Sequence, residues 1–189
     1  LATANFSDRP ARCRFAFALG NVAPDVAATT YLRGHLHDRH TWGHSYANAL
    51  PVIHRLLNAL THCARGTMAD CFRLGVLLHY TADAFTWPHN EQFAGNLKQH
   101  VRYERLLHRE LQVRLAAYRP VVPPDTPDAQ RAHARYVSLA GSVDTDADYI
   151  LAQTALLAER FARLWTCHGL RPMESELSQV YAGSARLAP

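Results

Sequence analysis

Apolar residues recur at helical spacing along most of this chain. "SYANALPVIHRLLNALTHC" (45–63) places Leu50, Ile53, Leu57 and Leu60 on one face of a helix. Pro51 falls inside that run and predicts a kink or a start near that point, because proline lacks the amide a helix interior uses. "RGT" then breaks the pattern. Thr67, followed by Asp70, has the form of a capping box and opens a second predicted helix through "CFRLGVLLHYTADAF". Pro88 disfavours helical geometry at Trp87, so that helix should end by Phe85 or Thr86. "EQFAGN" reads as a loop and "LKQHVRYERLLHRELQVRLAAY" (97–118) as a long helix. "RPVVPPDTPD" (119–128) holds four prolines and reads as an extended connection. Helical spacing resumes in "AQRAHARYVSLAG" and "DADYILAQTALLAERFARLW". No alternating pattern supports a strand, and no repeat or low-complexity segment interrupts the chain. The pattern predicts an all-α fold.

A length of 189 residues suits one sizeable core. The residues after the proline-rich stretch are too few for a separate core. The expectation is therefore one multi-helix domain over 1–189, with 119–128 as a loop inside it. Hydrophobic content of 48% and charged content of 19% fit a soluble globular protein. No apolar run approaches the ~18–20 residues of a membrane span, and no signal peptide is visible. The sequence starts at Leu1, so the compartment, cytoplasmic or secreted, stays open. Cys13, Cys63, Cys71 and Cys167 form no CxxC pair, which argues against a cysteine zinc site. They read as small buried apolar residues or as two disulfides. The formal charge of +4 comes almost entirely from arginine, with lysine only at Lys98. That excess favours anionic partners but is too small to argue for nucleic acid by itself.

Twelve histidines change the picture. Imidazole is the commonest metal ligand and the usual acid–base group near neutral pH. In "LLHYTADAFTWPHN" (77–90) the polar residues His79, Asp83 and His89 interrupt an apolar run. Residues i and i+4 share a helix face, so His79 and Asp83 project together, as do His100 and Glu104 further on. The flanking Leu74, Val76, Leu77 and Leu78 imply that His79 and Asp83 are largely desolvated. Ionised groups there need a partner or a metal. Zinc takes this nitrogen and oxygen set. Five ligands are too many for one tetrahedral ion with an open position and suit two metals a few Å apart. Either HxxxD or HxxxE alone reads as an ion pair or a capped histidine on a helix, and only the combination of both pairs with His89 is specific.

"LGVLLHYTADAFTWPHN" together with "HVRYERLLH" resembles the zinc-dependent phospholipase C family, which shares its helical fold with the S1/P1 nucleases. "LGNVAPDV" (19–26) looks like the family's small-residue stretch ending in Pro-Asp. "GHLHDRHTWGHSY" (34–46) resembles the segment of the related glycosylphosphatidylinositol-specific phospholipases in which His-Asp precedes a further histidine. The resemblance covers roughly residues 15–110. It implies one zinc held by His44, His79 and Asp83, and a neighbouring zinc held by His89, His100 and Glu104, with Asp83 placed to bridge. It implies that Asp25 holds or deprotonates the attacking water. His35, His37 and His40 compete with His44, and His37 with Asp38 is an alternative orienting pair. His54, His62, His108, His133 and His168 are expected on helix surfaces or in packed contacts. Tyr80, Trp87 and Tyr103 are expected in packing, or against a quaternary ammonium.

The resemblance implies a zinc-dependent phosphoesterase that cleaves a phosphodiester in a phospholipid head group, with possible peripheral membrane contact. The alternatives are a nuclease or nucleotidase using the same cluster, for which nucleic acid becomes the partner, and a metal-binding homologue without catalysis. Nuclease relatives usually show a Gly-Gly-Asn loop after the central histidine and end on HxxxD. "HNEQFAGN" lacks the glycine pair and the last pair ends on Glu104, which favours the phospholipase side. No histidine precedes His35, so the third zinc site that secreted relatives build near the N-terminus is not expected from these residues.

Overall fold

Six α-helices and one 3-10 turn make up the elements of the described residues, with no strand among them. The computed structural model describes residues 9–26, 45–62, 65–117, 129–139 and 141–169. The helices are α1 (Ala11–Val26), α2 (Tyr46–His62), α3 (Met68–Ala84), α4 (Leu97–Ala116), α5 (Ala129–Leu139) and α6 (Val143–Gly169), with the 3-10 turn Trp87–His89 between α3 and α4. The fold is all-α, as the spacing of apolar residues predicts. Pro51 lies inside α2 rather than at its start. "LGNVAPDV" is the last part of α1, with Pro24 inside the helix.

The caps that set α3 and α4 are written locally. Thr67 Oγ1 accepts the Asp70 amide at 3.3 Å, and Asp70 accepts the Thr67 amide at 3.0 Å, completing the predicted box. Asn96 and Gln99 make the same reciprocal pair at the start of α4. α3 stops at Ala84 with Phe85 as its cap, and Pro88 sits in the 3-10 turn. These two helix positions fix where His79, Asp83, His100 and Glu104 project.

α1 packs on α3 at unusually close range because each carries a glycine at the crossing. A Cβ on Gly20 would lie 2.2 Å from the Phe72 carbonyl oxygen, and one on Gly75 would lie 2.3 Å from that of Phe17. Neither position has room for a side chain, so the two backbones touch. One core cluster joins α1, α2, α3 and the end of α6 around Leu60, Leu74, Leu77, Phe161 and Trp165. A second joins α4, α5 and the start of α6 around Phe85, Leu107, Tyr136 and Ile150. α6, at 27 residues and about 40 Å, spans both. Cys13 and Cys71 are free and buried, as the apolar reading of the cysteines expects.

Candidate metal centre

The glycine contact brings the end of α1 against the polar side of α3. The His79 Nδ1–H donates to the Asn21 carbonyl at 2.9 Å. That bond leaves Nε2 as the nitrogen that faces the acids. Nε2 stands 3.5 Å from Asp25 Oδ1 and 3.2 Å from Asp83 Oδ2. The other Asp83 oxygen, Oδ1, stands 3.4 Å from His89 Nδ1. His89 Nε2 lies 3.1 Å from Glu104 Oε1, and His100 Nε2 lies 2.9 Å from the same oxygen. Asp25, His79, Asp83, His89, Glu104 and His100 therefore form one continuous run drawn from α1, α3, the 3-10 turn and α4. Asp83 directs one oxygen to each histidine beside it.

Burial decides the electrostatics. The side chains of His79, Asp83, His89 and His100 are 8–14% exposed, whereas Asp25 is 60% exposed at the open side. Burial alone would disfavour the His89 imidazolium, but Asp83 and Glu104 push its pKa up to about 10. His79 is likewise opposed by burial and raised by Asp83 and Asp25. Burial would raise the Glu104 carboxyl, yet hydrogen bonds from His100 and His89 pull it down to about 2. The pocket thus carries a demand for positive charge, which a proton or a metal ion can meet. His89, His100 and Glu104 each offer a ligand atom, and these atoms lie within 4.8 Å of one another. His100 Nδ1 is buried without a hydrogen-bond partner among the described residues. Imidazole nitrogens, carboxylate oxygens and an uncommitted buried nitrogen fit zinc.

A model of the family described as "Zinc dependent phospholipase C" matches residues 6–167. The chain belongs to the zinc-dependent phospholipase C family. No curated protein and no solved structure gives a significant match. Family membership establishes a zinc-dependent hydrolase lineage, and the acidic, histidine-rich run is where this phospholipase C homologue presents zinc-type donors. No helix among the described residues is long and apolar enough to cross a membrane.

The structure brings together five of the six sequence-derived ligand candidates, with Asp25 beside them. The sixth, His44, and its competitors His35, His37 and His40 lie outside the described residues. His54, His62 and His108 are exposed, and His133 is buried against Tyr46 with ring centroids 3.4 Å apart. Tyr80 is a core residue. Two contributors escaped the sequence reading. Asn21, four residues before Asp25 on α1, holds the His79 ring through its main-chain carbonyl, which no side-chain pattern could have flagged. Asp146, fully buried at the start of α6, accepts the Trp87 amide at 2.7 Å, the Tyr103 hydroxyl at 2.9 Å and the Tyr136 hydroxyl at 2.8 Å. It ties the turn that carries His89 to the helix that carries Glu104. Nothing in "DTDAD" separates Asp146 from its two neighbouring acids.

Proposed function

We propose that this protein hydrolyses a phosphodiester in a phospholipid head group at a two-zinc centre. The observation that carries the reading is the unbroken run from Asp25 to His100, with Asp83 facing both His79 and His89. His79 and Asp83, with His44, would hold one ion. His89, His100 and Glu104 would hold the other, and Asp83 faces residues of both sets. Bound zinc supplies positive charge for the phosphoryl oxygens and acidifies water toward neutral pH. Asp25 is the most exposed acid of the run, so it meets solvent and substrate first. It orients the attacking water and accepts its proton. Asn21 keeps the His79 ring from turning. An arginine-rich sequence, with no membrane-spanning helix among the described residues, suits a protein that works on lipid from the aqueous side. The phospholipid is favoured over nucleic acid by Glu104 in the last pair and by the missing glycine pair after His89.

A substrate panel on zinc-loaded protein tests this. Turnover of phosphatidylcholine or a choline phosphodiester, with none of single-stranded DNA, is the expected result. The reverse pattern establishes the nuclease reading. Full zinc occupancy without turnover of either establishes a non-catalytic homologue.

A further inference from the structure

The opposite side of α3 carries a second feature that the metal centre does not use. On a helix of about 3.6 residues per turn, Thr81, Ala84 and Phe85 point away from His79 and Asp83. They line a cavity of about 420 Å³ that lies between α2 and α6. This volume falls within the ~300–1,000 Å³ of small-molecule sites.

Its shape follows from the helices that bound it. Tyr46 at the start of α2 stacks on His133, which also contacts Phe85, and Phe85 stacks on Tyr149 of α6. Further along, Arg160 of α6 donates to Thr61 of α2 at 3.2 Å. The two helices therefore run side by side in the same direction. From Tyr46 to Leu57 the lining covers about 16 Å. The result is a long slot, suited to a linear chain rather than a ring system.

Its walls are mostly apolar. Leu50, Ile53, Leu57, Leu156 and Leu157 form the walls. Gln153 also lines the slot, is only 6% exposed, and makes no hydrogen bond among the described residues. As a wall residue whose amide has no partner among the described residues, it can exchange hydrogen bonds with a polar group that enters the slot. A lone water would leave most of the volume and the apolar walls unmet. His133 is already bonded to Asn90 at 2.9 Å and is kept uncharged, its pKa lowered to about 4 by burial. The cationic candidates His54 and Arg160 sit exposed at the rim. The interior therefore favours a neutral polar group, because nothing charged faces a buried anion there.

We propose that this slot binds a single acyl chain with a neutral hydrogen-bonding head. The chain lies along the leucine and isoleucine walls, and the head exchanges hydrogen bonds with the Gln153 amide. The site is separate from the metal centre and stands whether or not the phosphodiesterase reading holds.

Calorimetric titration of the zinc-loaded protein with 1-monolauroylglycerol, below its micelle concentration, tests the proposal. Saturable one-to-one binding is expected. Gln153→Leu should weaken it about tenfold, the equivalent of one hydrogen bond. Leu156→Trp, which fills the slot, should abolish binding. Zinc content should match wild type in both variants, which separates this site from the metal centre. Absence of binding by wild type, or binding unchanged in Gln153→Leu, overturns the proposal. Tighter binding of laurate than of the neutral lipid, lost in Arg160→Ala but kept in Gln153→Leu, also overturns it by placing an anionic head at the rim.

Discussion

Two regions of this protein set carboxylates against the same 3-10 turn, and they satisfy them in opposite ways. Asp146 meets one amide and two hydroxyls, all neutral donors that belong to the fold. Asp83 and Glu104 meet imidazoles, whose charge and coordination state can change. The first arrangement is closed: every donor is spoken for, and burial pushes both Tyr136 and Tyr103 away from ionisation. The second leaves positive charge to be supplied, as the raised His89 and lowered Glu104 show. A buried acid is thus a structural anchor or a metal-site donor according to its partners, not its depth.

The largest effect that would break this comparison is expected at Asp83. Asp83→Asn keeps the shape but removes the charge that faces both histidines. Hydrolysis of the preferred phosphodiester should fall by at least about 100-fold, with the far-ultraviolet circular dichroism and cooperative melt retained. Near wild-type turnover would sink the assignment of Asp83 as the shared ligand.

Asp146→Ala should do the converse. It leaves one buried and two half-buried donors unmet, and urea denaturation should show a loss of about 3 kcal/mol. Zinc affinity should fall about 10–100-fold, because the turn bearing His89 and the helix bearing Glu104 lose their common anchor. An Asp146→Ala protein with unchanged stability would show that the anchor is not structural.

Gly75→Ala probes how the two regions are brought into register. The new methyl meets the Phe17 carbonyl oxygen, which belongs to backbone and cannot rotate away. A loss of about 2 kcal/mol is expected. Zinc uptake should weaken as well, since separating α1 from α3 draws Asn21 and Asp25 off His79. Gly75→Ala with wild-type stability and zinc affinity would contradict the close crossing.

The smallest effect concerns pH. His133 is buried neutral, with a folded pKa of about 4 against an ordinary 6.5. Its contribution is complete above pH 6.5 and is lost as pH falls from 6.5 toward 4, because the unfolded chain takes up the proton first. The loss should be on the order of 1 kcal/mol by pH 5. Chemical denaturation at pH 7 and pH 5 measures it, and His133→Phe should flatten the difference. An equal pH dependence in that variant would move the effect to another group.

The helices and most of the centre were legible in the sequence for one physical reason: their signals are local. Thr67 with Asp70, Pro88, and the i, i+4 pairs His79–Asp83 and His100–Glu104 each act within a turn or two of chain. His89 was legible because it follows the helix-breaking proline. What stayed hidden depends on contacts between distant segments. Gly20 and Gly75 look like ordinary small residues until their helices cross. Asp146 sits 59 residues from the amide it holds. The slot beside Gln153 exists only because α2 and α6 stand apart over α3. The proline-rich stretch 119–128 and the histidine-rich stretch around His44 lie outside the described residues, so neither reading is tested by the fold.

The most direct test of the central claim, that the run from Asp25 to His100 is a zinc centre, is elemental analysis of purified wild-type protein beside a His79→Ala, His100→Ala double variant. Two zinc ions per chain in wild type, lost in a variant that still folds, is the predicted result. A folded wild-type chain that holds no stoichiometric metal after zinc loading would contradict it, and the run would then be a set of ion pairs.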